Sequence, residues 1–119
     1  MNTQDVAKQF TDLCKAGKFE AAGEKFWAED VVSIEPMPGD MHRMQGRKAL
    51  EGKGKWWSEN NTVHSAKVEG PFPHGDRFAV RFTYDLTRKK DGQRVKMDEV
   101  ALYTVKDGKI VREEFYYAT

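Results

Sequence analysis

An alternation of apolar and polar residues fills the second half of the chain and constrains the fold more than any other feature. A period of two is typical of β-strands that bury one face, because successive side chains point to opposite sides of a sheet. Turn sequences rich in glycine, aspartate and proline interrupt the alternation three times. The pattern therefore predicts four consecutive strands, at residues 63–69, 77–88, 94–105 and 110–117.

Two of the predicted turns contain an Asp-Gly pair, at Asp91-Gly92 and Asp107-Gly108. Such pairs are typical of two-residue hairpin turns, since both residue types tolerate the positive φ angles that these turns require. Residues 71–75, Pro-Phe-Pro-His-Gly, form the other predicted turn. A two-residue turn at Asp91-Gly92 also fixes the register of its hairpin. The predicted cross-strand pairs are Tyr84 with Glu99, Leu86 with Met97, and Phe82 with Ala101.

The first half of the chain has the spacing of helices. Val6 and Phe10 recur at a helical interval between a capping residue, Asn2 or Thr3, and Gly17, which predicts a first helix. The remaining elements are predicted as a helix at 19–26, a short strand at 30–36, a loop at 37–45 and a helix at 46–58. Three helices followed by a meander of strands define one α+β domain over residues 1–119, with the helices on one face of a curved antiparallel sheet.

The charge balance argues against nucleic acid as a partner. Lys and Arg total 20 and Asp and Glu total 19, whereas nucleic-acid binders carry a basic excess that neutralises phosphates. No apolar run approaches the roughly 20 residues of a membrane span, and residues 1–8 are too polar for a signal peptide. The single Cys14 cannot form an internal disulfide, which favours a cytoplasmic location. The three histidines lack the spacing of metal ligands, so no metal is expected.

The strand at 77–88 has one wholly apolar or aromatic face, which is expected to point inward. Its members are Phe78, Val80, Phe82, Tyr84 and Leu86. On the neighbouring strand, Glu99 falls on the same face. Burying a bare carboxylate costs several kcal/mol, so Glu99 must be paired, hydrated or neutral.

The last strand has two alternative registers. A two-residue turn at Asp107-Gly108 puts Arg112 and Glu114 inside, whereas one extra turn residue puts a more apolar set inside, which we prefer. That set is Val111, Glu113, Phe115 and Tyr117. His64 shares its strand face with Ala66 and Val68 and is also expected to point inward. The outer face carries Val100 and Leu102 beside Thr83 and Tyr116, which predicts a homodimer through this face.

Five short sequences occur in a characteristic order along the chain: residues 16–17 (Ala-Gly), 26–32 (Phe-Trp-Ala-Glu-Asp-Val-Val), 46–49 (Gly-Arg-Lys-Ala), 105–110 (Val-Lys-Asp-Gly-Lys-Ile) and 115–117 (Phe-Tyr-Tyr). Together they resemble the nuclear transport factor 2-like superfamily, which includes ketosteroid isomerases, limonene epoxide hydrolases and SnoaL-type polyketide cyclases. The SnoaL-like subgroup is most similar, through residues 34–36 (Ile-Glu-Pro), 56–57 (Trp-Trp) and 97–100 (Met-Asp-Glu-Val). The resemblance covers nearly the whole chain and implies a cone-shaped roll that encloses a pocket.

The resemblance also suggests which residues carry chemistry. The catalytic base of ketosteroid isomerases is an Asp in an Asp-Pro pair, and the matching pair here is Glu35-Pro36. The oxyanion-hole positions of those enzymes fall on Phe10 and Ala101, whose side chains donate no hydrogen bond, so standard steroid isomerisation is disfavoured. The residues needed for limonene epoxide hydrolysis are replaced as well; the matching positions hold Phe82, Tyr84 and Phe115. The cyclase resemblance suggests a carboxylate or histidine in an apolar pocket.

The sequence thus predicts a cofactor-free isomerase, cyclase or lyase that acts on a small apolar or aromatic molecule. Glu35 is the candidate base, and Glu99 or His64 the candidate acid. The candidate ligand-binding residues are Trp57, Phe82, Tyr84, Met97, Tyr103, Glu113, Phe115 and Tyr117. Each of the three acid/base candidates has a structural alternative. Glu35 could hold its loop, Glu99 could form a hydrogen bond with a tyrosine hydroxyl, and His64 could form a purely structural hydrogen bond. A non-catalytic binding protein and a protein-interaction module remain the alternative functions.

Overall fold

Three helices and six strands occupy residues 1–118, the part of the chain that the computed structural model describes. The helices are α1 (Thr3–Lys15), α2 (Phe19–Phe26) and α3 (Arg47–Asn60). The strands are β1 (Trp27–Ile34), β2 (Arg43–Gln45), β3 (Asn61–His74), β4 (Arg77–Arg88), β5 (Arg94–Lys106) and β6 (Lys109–Tyr116). None of the helices within residues 1–118 is long and apolar enough to cross a membrane.

The six strands form one sheet in the order β2-β1-β6-β5-β4-β3. From β3 to β6 the strands pair as the predicted antiparallel meander. β1 pairs with β6 in parallel and with β2 in antiparallel orientation, so the sheet as a whole is mixed. The parallel pairing of β1 with β6 places the end of β1, which Glu35 follows, next to Glu113 of β6. The predicted α+β class, with helices packed on a curved sheet, is confirmed, but the expectation of a purely antiparallel sheet is wrong, because β1 joins the meander in parallel to β6.

Helix α1 begins at a capping box, in which the backbone N–H of Asp5 donates to Asn2 Oδ1 at 2.8 Å. Its apolar side faces the sheet, and Phe10 packs at 4.8 Å between ring centroids against Tyr103 of β5. α3 starts after Gly46 and buries Leu50. The core therefore lies between the helices and the inner sheet face, which is where the aromatic side of β4 points.

The predicted register of the β4–β5 hairpin is wrong by two residues. Phe82 lies opposite Glu99, and Tyr84 opposite Met97. The cause is a longer connection, because the Arg88 N–H donates to the Gln93 carbonyl at 2.9 Å and leaves four residues in the loop. The Asp91 carboxylate, which accepts from the Gln93 N–H at 3.1 Å, stabilises this wider turn. A shift of two residues leaves every side chain on its predicted face.

The last hairpin contains both features that the sequence offered as alternatives. Asp107 and Gly108 form a two-residue turn with φ angles of 53° and 75°. The extra residue is not in the turn but in a β-bulge between Thr104 and Val105 on β5 and residues 110–112 on β6. Glu113 and Phe115 thus face Tyr103 and Ala101 on the inner side, as preferred. The bulge puts Ile110 in the core, so the expectation for Val111, which is only half-buried, is wrong.

Two predicted irregular segments contain strand. The expected loop at 37–45 includes the short strand β2, which pairs with the end of β1. The expected turn at 71–75 is mostly a continuation of β3, which reaches His74 across an irregularity between Glu69 and Phe72. Both differences arise because a neighbouring strand supplies backbone hydrogen bonds that short-range sequence patterns do not reveal.

Candidate active site

Three glutamates from different elements lie on the inner side of the sheet around one lysine of α3. Glu35 follows β1, Glu99 lies on β5 and Glu113 on β6, while Lys53 comes from the helix above them. The charges of Glu35 and Glu113 both act on the pKa of Glu99, and so does the charge of Lys53. We call these four residues the carboxylate cluster.

Lys53 connects the members of the cluster. Its Nζ lies 2.5 Å from Glu35 Oε1 and donates to Ser33 Oγ at 2.9 Å. The ammonium also sits 4.8 Å from the ring centroid of Phe115, within the range of a cation–π contact. The side chains of Lys53 and Glu35 are only 15% and 12% exposed. At that depth, removing one partner leaves the other charge without compensation, which costs more than the loss of a surface pair.

Glu113 is the most deeply buried member, with 5% exposure. Its carboxylate accepts a hydrogen bond from Trp27 Nε1 at 3.0 Å and one from Ser33 Oγ at 2.9 Å. Burial raises the pKa of Glu113, although Lys53 and the two hydrogen bonds oppose the rise. Ser33 links Lys53 to Glu113, so the lysine and two of the glutamates belong to one hydrogen-bonded network.

Glu35 uses its backbone and its side chain for different purposes. Its N–H donates to the His42 carbonyl at 2.8 Å, and its own carbonyl lies 2.9 Å from His42 Nδ1, which ties down the following loop. The carboxylate points to the cluster, where Oε2 accepts from the Tyr117 hydroxyl at 2.7 Å. The loop is therefore held by the main chain of Glu35, and the carboxylate is held by Lys53 and Tyr117.

Glu99 differs from the other two glutamates because it accepts no hydrogen bond from any of residues 1–118. It lies opposite Phe82 on the apolar face, and burial raises its pKa to about 7. The negative charges of Glu35 and Glu113 add to the rise, and Lys53 opposes it. A carboxyl group with such a pKa is present in both protonation states near neutral pH, as proton transfer requires.

Aromatic and apolar side chains surround the cluster. Of the predicted pocket residues, Phe82, Tyr84, Tyr103 and Glu113 are buried, and Trp57, Met97, Phe115 and Tyr117 are half-buried. An open recess of about 680 Å³ lies elsewhere, between α1 and α2, and polar residues such as Asp12 and Lys25 line part of it. It is remote from the cluster and offers no ionisable group with the surroundings of Glu99.

The expected inward orientation of His64 is wrong. His64 is exposed, and its Nε2 lies 2.7 Å from Thr87 Oγ1, on the outer side of β4. The ladder between β3 and β4 is irregular between Val63 and Ser65, and this shift turns the imidazole away from the face of Ala66 and Val68. The structure therefore places His64 outside the carboxylate cluster.

Sequence reasoning missed Lys53, Ser33 and Trp27. Lys53 stands three residues after Leu50 and four before Trp57, so a charged residue interrupts the inward stripe of α3. Ser33 alternates with buried Val31 on β1 and is itself fully buried. Lys53 and Ser33 are thus polar residues at positions where the sequence pattern predicts the core. No group of three His, Cys, Asp or Glu side chains within residues 1–118 is arranged to hold a metal ion.

The helices, the curved mixed sheet and the ionisable cluster on its inner face define an α+β roll of the nuclear transport factor 2-like kind. The chain belongs to the SnoaL-like domain family, whose sequence profile matches residues 1–117. The resemblance predicted from the sequence is thus confirmed. No curated protein matches the chain significantly.

Solved structures support this assignment. A protein from Mesorhizobium loti described as a "putative SnoaL-like polyketide cyclase [carbohydrate phosphatase]" is 51% identical, with a TM-score of 0.96 over 98% of this chain and 100% of that one. A Xanthomonas campestris protein of unknown function with a cystatin-like fold is 22% identical, with a TM-score of 0.82 over 100% and 92% of the two chains. A Catenulispora acidiphila protein with a ketosteroid isomerase-like fold, in complex with trimethylamine, is 17% identical, with a TM-score of 0.74 over 98% and 88%. The last two likenesses concern the fold alone.

Proposed function

We propose that this SnoaL-like protein binds a small, largely apolar molecule against the inner sheet face and transfers protons to and from it without a cofactor. The observation that carries the proposal is Glu99, a half-buried carboxyl group that faces inward opposite Phe82, has no hydrogen-bond partner among residues 1–118 and has a pKa raised by burial to about 7. Structural carboxylates in a core are normally paired or hydrogen-bonded. A group that is neither is available to a ligand.

In this account Glu99 is both acid and base. Protonated, it donates to the substrate; ionised, it removes a proton from a carbon next to a carbonyl group. Glu35 matches the base position of ketosteroid isomerases, yet Lys53 and Tyr117 engage its two oxygens. We therefore assign Glu35 to the positioning of Lys53, and Lys53 to the stabilisation of negative charge that develops on the substrate.

The description of the Mesorhizobium loti protein names two activities, and the cluster favours the first. Cyclisation needs proton transfer at an apolar site, which Glu99 and its aromatic surroundings supply. A carbohydrate phosphatase must accept a phosphate group, and here three glutamates surround the Lys53 ammonium, which is already paired with Glu35. Anionic surroundings repel phosphate. The proposed reaction is thus of the isomerase, cyclase or lyase type.

Exchange of α-protons in D₂O tests the proposal, with acetophenone as a small aromatic ketone whose methyl signal is followed by NMR. We expect the wild-type protein to accelerate exchange, and Glu99→Gln to lower the rate by about 10²-fold or more. Glu59→Gln, at an exposed site of α3, is the matched control and should keep the wild-type rate. Exchange no faster than in buffer, or full activity of Glu99→Gln, would contradict the proposal.

The alternative is a non-catalytic protein that only shelters an aromatic ligand. It predicts that Trp57→Ala abolishes binding while substitution of Glu99 changes affinity only modestly. Neither function calls for nucleic acid or a membrane as a partner, and the cytoplasmic location stays a prediction from the single Cys14.

A further inference from the structure

Trp27 connects the C-terminal end of α2 with the carboxylate cluster. Its backbone N–H donates to the Gly23 carbonyl at the end of the helix, and its extended backbone begins β1. Its indole Nε1 donates to Glu113 Oε1 at 3.0 Å, while Ser33 Oγ donates to the other oxygen at 2.9 Å. Each oxygen of the buried Glu113 carboxylate therefore has its own donor, and the two hydrogen bonds together fix the orientation of the group.

The indole ring packs directly on the backbone of Gly23. A Cβ atom at position 23 would lie 2.7 Å from both Cη2 and Cζ3 of Trp27, and 2.8 Å from Cζ2. Carbon atoms in ordinary contact are about 3.5–4.0 Å apart, so a side chain at this position must displace the ring. The absence of a side chain at Gly23 thus provides the space in which the indole lies.

Backbone conformation does not require glycine at position 23. The residue lies within α2 and is helical, unlike Gly17, whose φ angle is 76°. Glycine inside a helix is less favourable than alanine. Gly52 of α3 is also inside a helix, but a Cβ atom there would meet no atom within 4 Å. The close approach of Trp27 is therefore the feature that distinguishes Gly23.

We propose that Gly23 and Trp27 are positioning residues for the carboxylate cluster. The space above Gly23 admits the indole ring. The ring in turn holds the Glu113 carboxylate in the orientation in which Ser33 joins it to Lys53. Neither Gly23 nor Trp27 contacts the substrate in this account. The catalytic consequence rests on the proposed function, whereas the positioning of Glu113 does not.

Loss of the indole contact should change how the cluster binds protons. The hydrogen bond from Trp27 opposes the rise that burial causes in the pKa of Glu113. Without this bond Glu113 should keep its proton to higher pH. Because the charge of Glu113 raises the pKa of Glu99, Glu99 should then titrate at lower pH. Other ionisable groups that interact with Glu113 are Lys53 of α3, Glu35 after β1, Tyr103 of β5 and Cys14 of α1.

Gly23→Ala tests the inference, with Gly52→Ala in α3 as the matched control. In Gly23→Ala the indole N–H of Trp27, assigned by its loss in Trp27→Leu, should exchange with solvent about tenfold faster or more. The pKa of Glu113, followed by carboxyl ¹³C NMR, should rise. The pH profile of acetophenone exchange should move to lower pH, and its rate should fall about tenfold or more. Gly52→Ala should leave all of these unchanged.

A second substitution keeps the test decisive if Gly23→Ala folds poorly. Gly23→Ala should lower the midpoint of urea unfolding in the wild-type background. In Trp27→Leu, which has no indole ring to displace, the same alanine should raise the midpoint, because alanine is the better helix former. Trp27→Leu alone should raise the pKa of Glu113, since it removes the donor.

An unchanged indole exchange rate or an unchanged titration of Glu113 in Gly23→Ala would overturn the inference, and so would destabilisation by the alanine in both backgrounds. The outcome is separable from that of the proposed function. If the indole and Glu113 respond while the wild-type protein exchanges no acetophenone, the positioning stands and the catalytic role of Glu99 falls. If Glu99→Gln blocks exchange while Gly23→Ala leaves the indole and Glu113 unchanged, the positioning falls.

Discussion

Lys53 Nζ and Glu35 Oε1 are 2.5 Å apart, and both side chains are more than four-fifths buried. This ion pair joins α3 to the end of β1 beneath the aromatic face of the sheet. Both charges of the pair act on Glu99: the Glu35 carboxylate raises the pKa of Glu99, and the Lys53 ammonium lowers it. The pair is thus the structural centre of the candidate site.

Removal of the ammonium should destabilise the protein strongly. We expect Lys53→Met to lower the free energy of unfolding by about 3–5 kcal/mol at pH 8, because it leaves Glu35 buried without a counter-charge. The loss should be smaller at pH 5, where Glu99 carries a proton. Urea unfolding at both pH values measures the difference.

The control for this change is Lys55→Met, two residues away on the same helix. Lys55 is 77% exposed, and its contact with Glu59 spans 3.8 Å, so we expect a change within about 0.5 kcal/mol. Equal losses for the two variants would mean that the buried pair contributes no more than a surface pair.

Ser33 is predicted to lower the pKa of Glu113. The Ser33 hydroxyl donates to the Glu113 carboxylate and thereby lowers its pKa, so Ser33→Ala should raise the pKa of Glu113 further. It should also cost about 1–3 kcal/mol of stability, since Lys53 and Glu113 each lose a partner. Carboxyl ¹³C NMR and urea unfolding are the measurements. Ser58→Ala, which removes only an exposed bond to the Lys55 carbonyl, is the control; an unchanged titration of Glu113 would argue against the link.

The sequence predicted the sheet well because alternation reports directly which face of a strand is buried. Alternation predicts Glu99 and Glu113 on the inner face of the sheet. The error of two residues in the β4–β5 register changes the cross-strand partners and leaves both glutamates on that face. The exact positions of the bulge beside Val111 and of the irregular ladder at His64 were not predictable, since each depends on how two strands pair and not on the alternation within either strand.

The site was predicted only in part, for a different reason. Lys53 lies between Gly52 and Gly54, which disfavour a helix, so the local sequence does not mark it as a residue that faces inward. Its position in the inward stripe has a function only because α3 packs over Glu35 and brings the two charges together. Contacts between elements far apart in the chain decide such a cluster, and no local pattern encodes them.

The stability of the wild-type protein should fall as the pH rises from about 4.5 to about 7. Glu99 keeps its proton in the folded state up to about pH 7, against 4.5 for an ordinary glutamate, so over this interval the folded state binds a proton that the unfolded chain releases. The stabilisation is therefore complete below the lower value and lost above the higher one. The loss amounts to about 3 kcal/mol.

The side chain at position 99 stays neutral at every pH in Glu99→Gln. Comparison with this variant therefore separates the pH dependence of stability caused by Glu99 from that caused by Glu113. The difference in unfolding free energy between wild type and variant, measured in urea from pH 4.5 to pH 8, should fall with pH by the stated amount. A difference that stays constant over this range would show that Glu99 titrates alike in both states.

We propose that the outer sheet face forms a homodimer. Val100 is 39% exposed, and Tyr116, its cross-strand neighbour on β6, is 52% exposed. A charge placed there, as in Val100→Glu, should convert a dimer into a monomer in sedimentation experiments. Met37→Glu, at a similarly exposed site in a loop, should leave the mass unchanged. A monomeric wild type, or a dimeric Val100→Glu protein, would refute the interface.

The most direct test of the account is the titration of the Glu99 carboxyl carbon by NMR, with Glu99→Gln used to assign the signal. The account predicts a midpoint near pH 7, broadened by coupling to Glu35 and Glu113. A midpoint near the ordinary glutamate value of 4.5 would contradict it, because Glu99 would then be hydrated and permanently ionised at neutral pH.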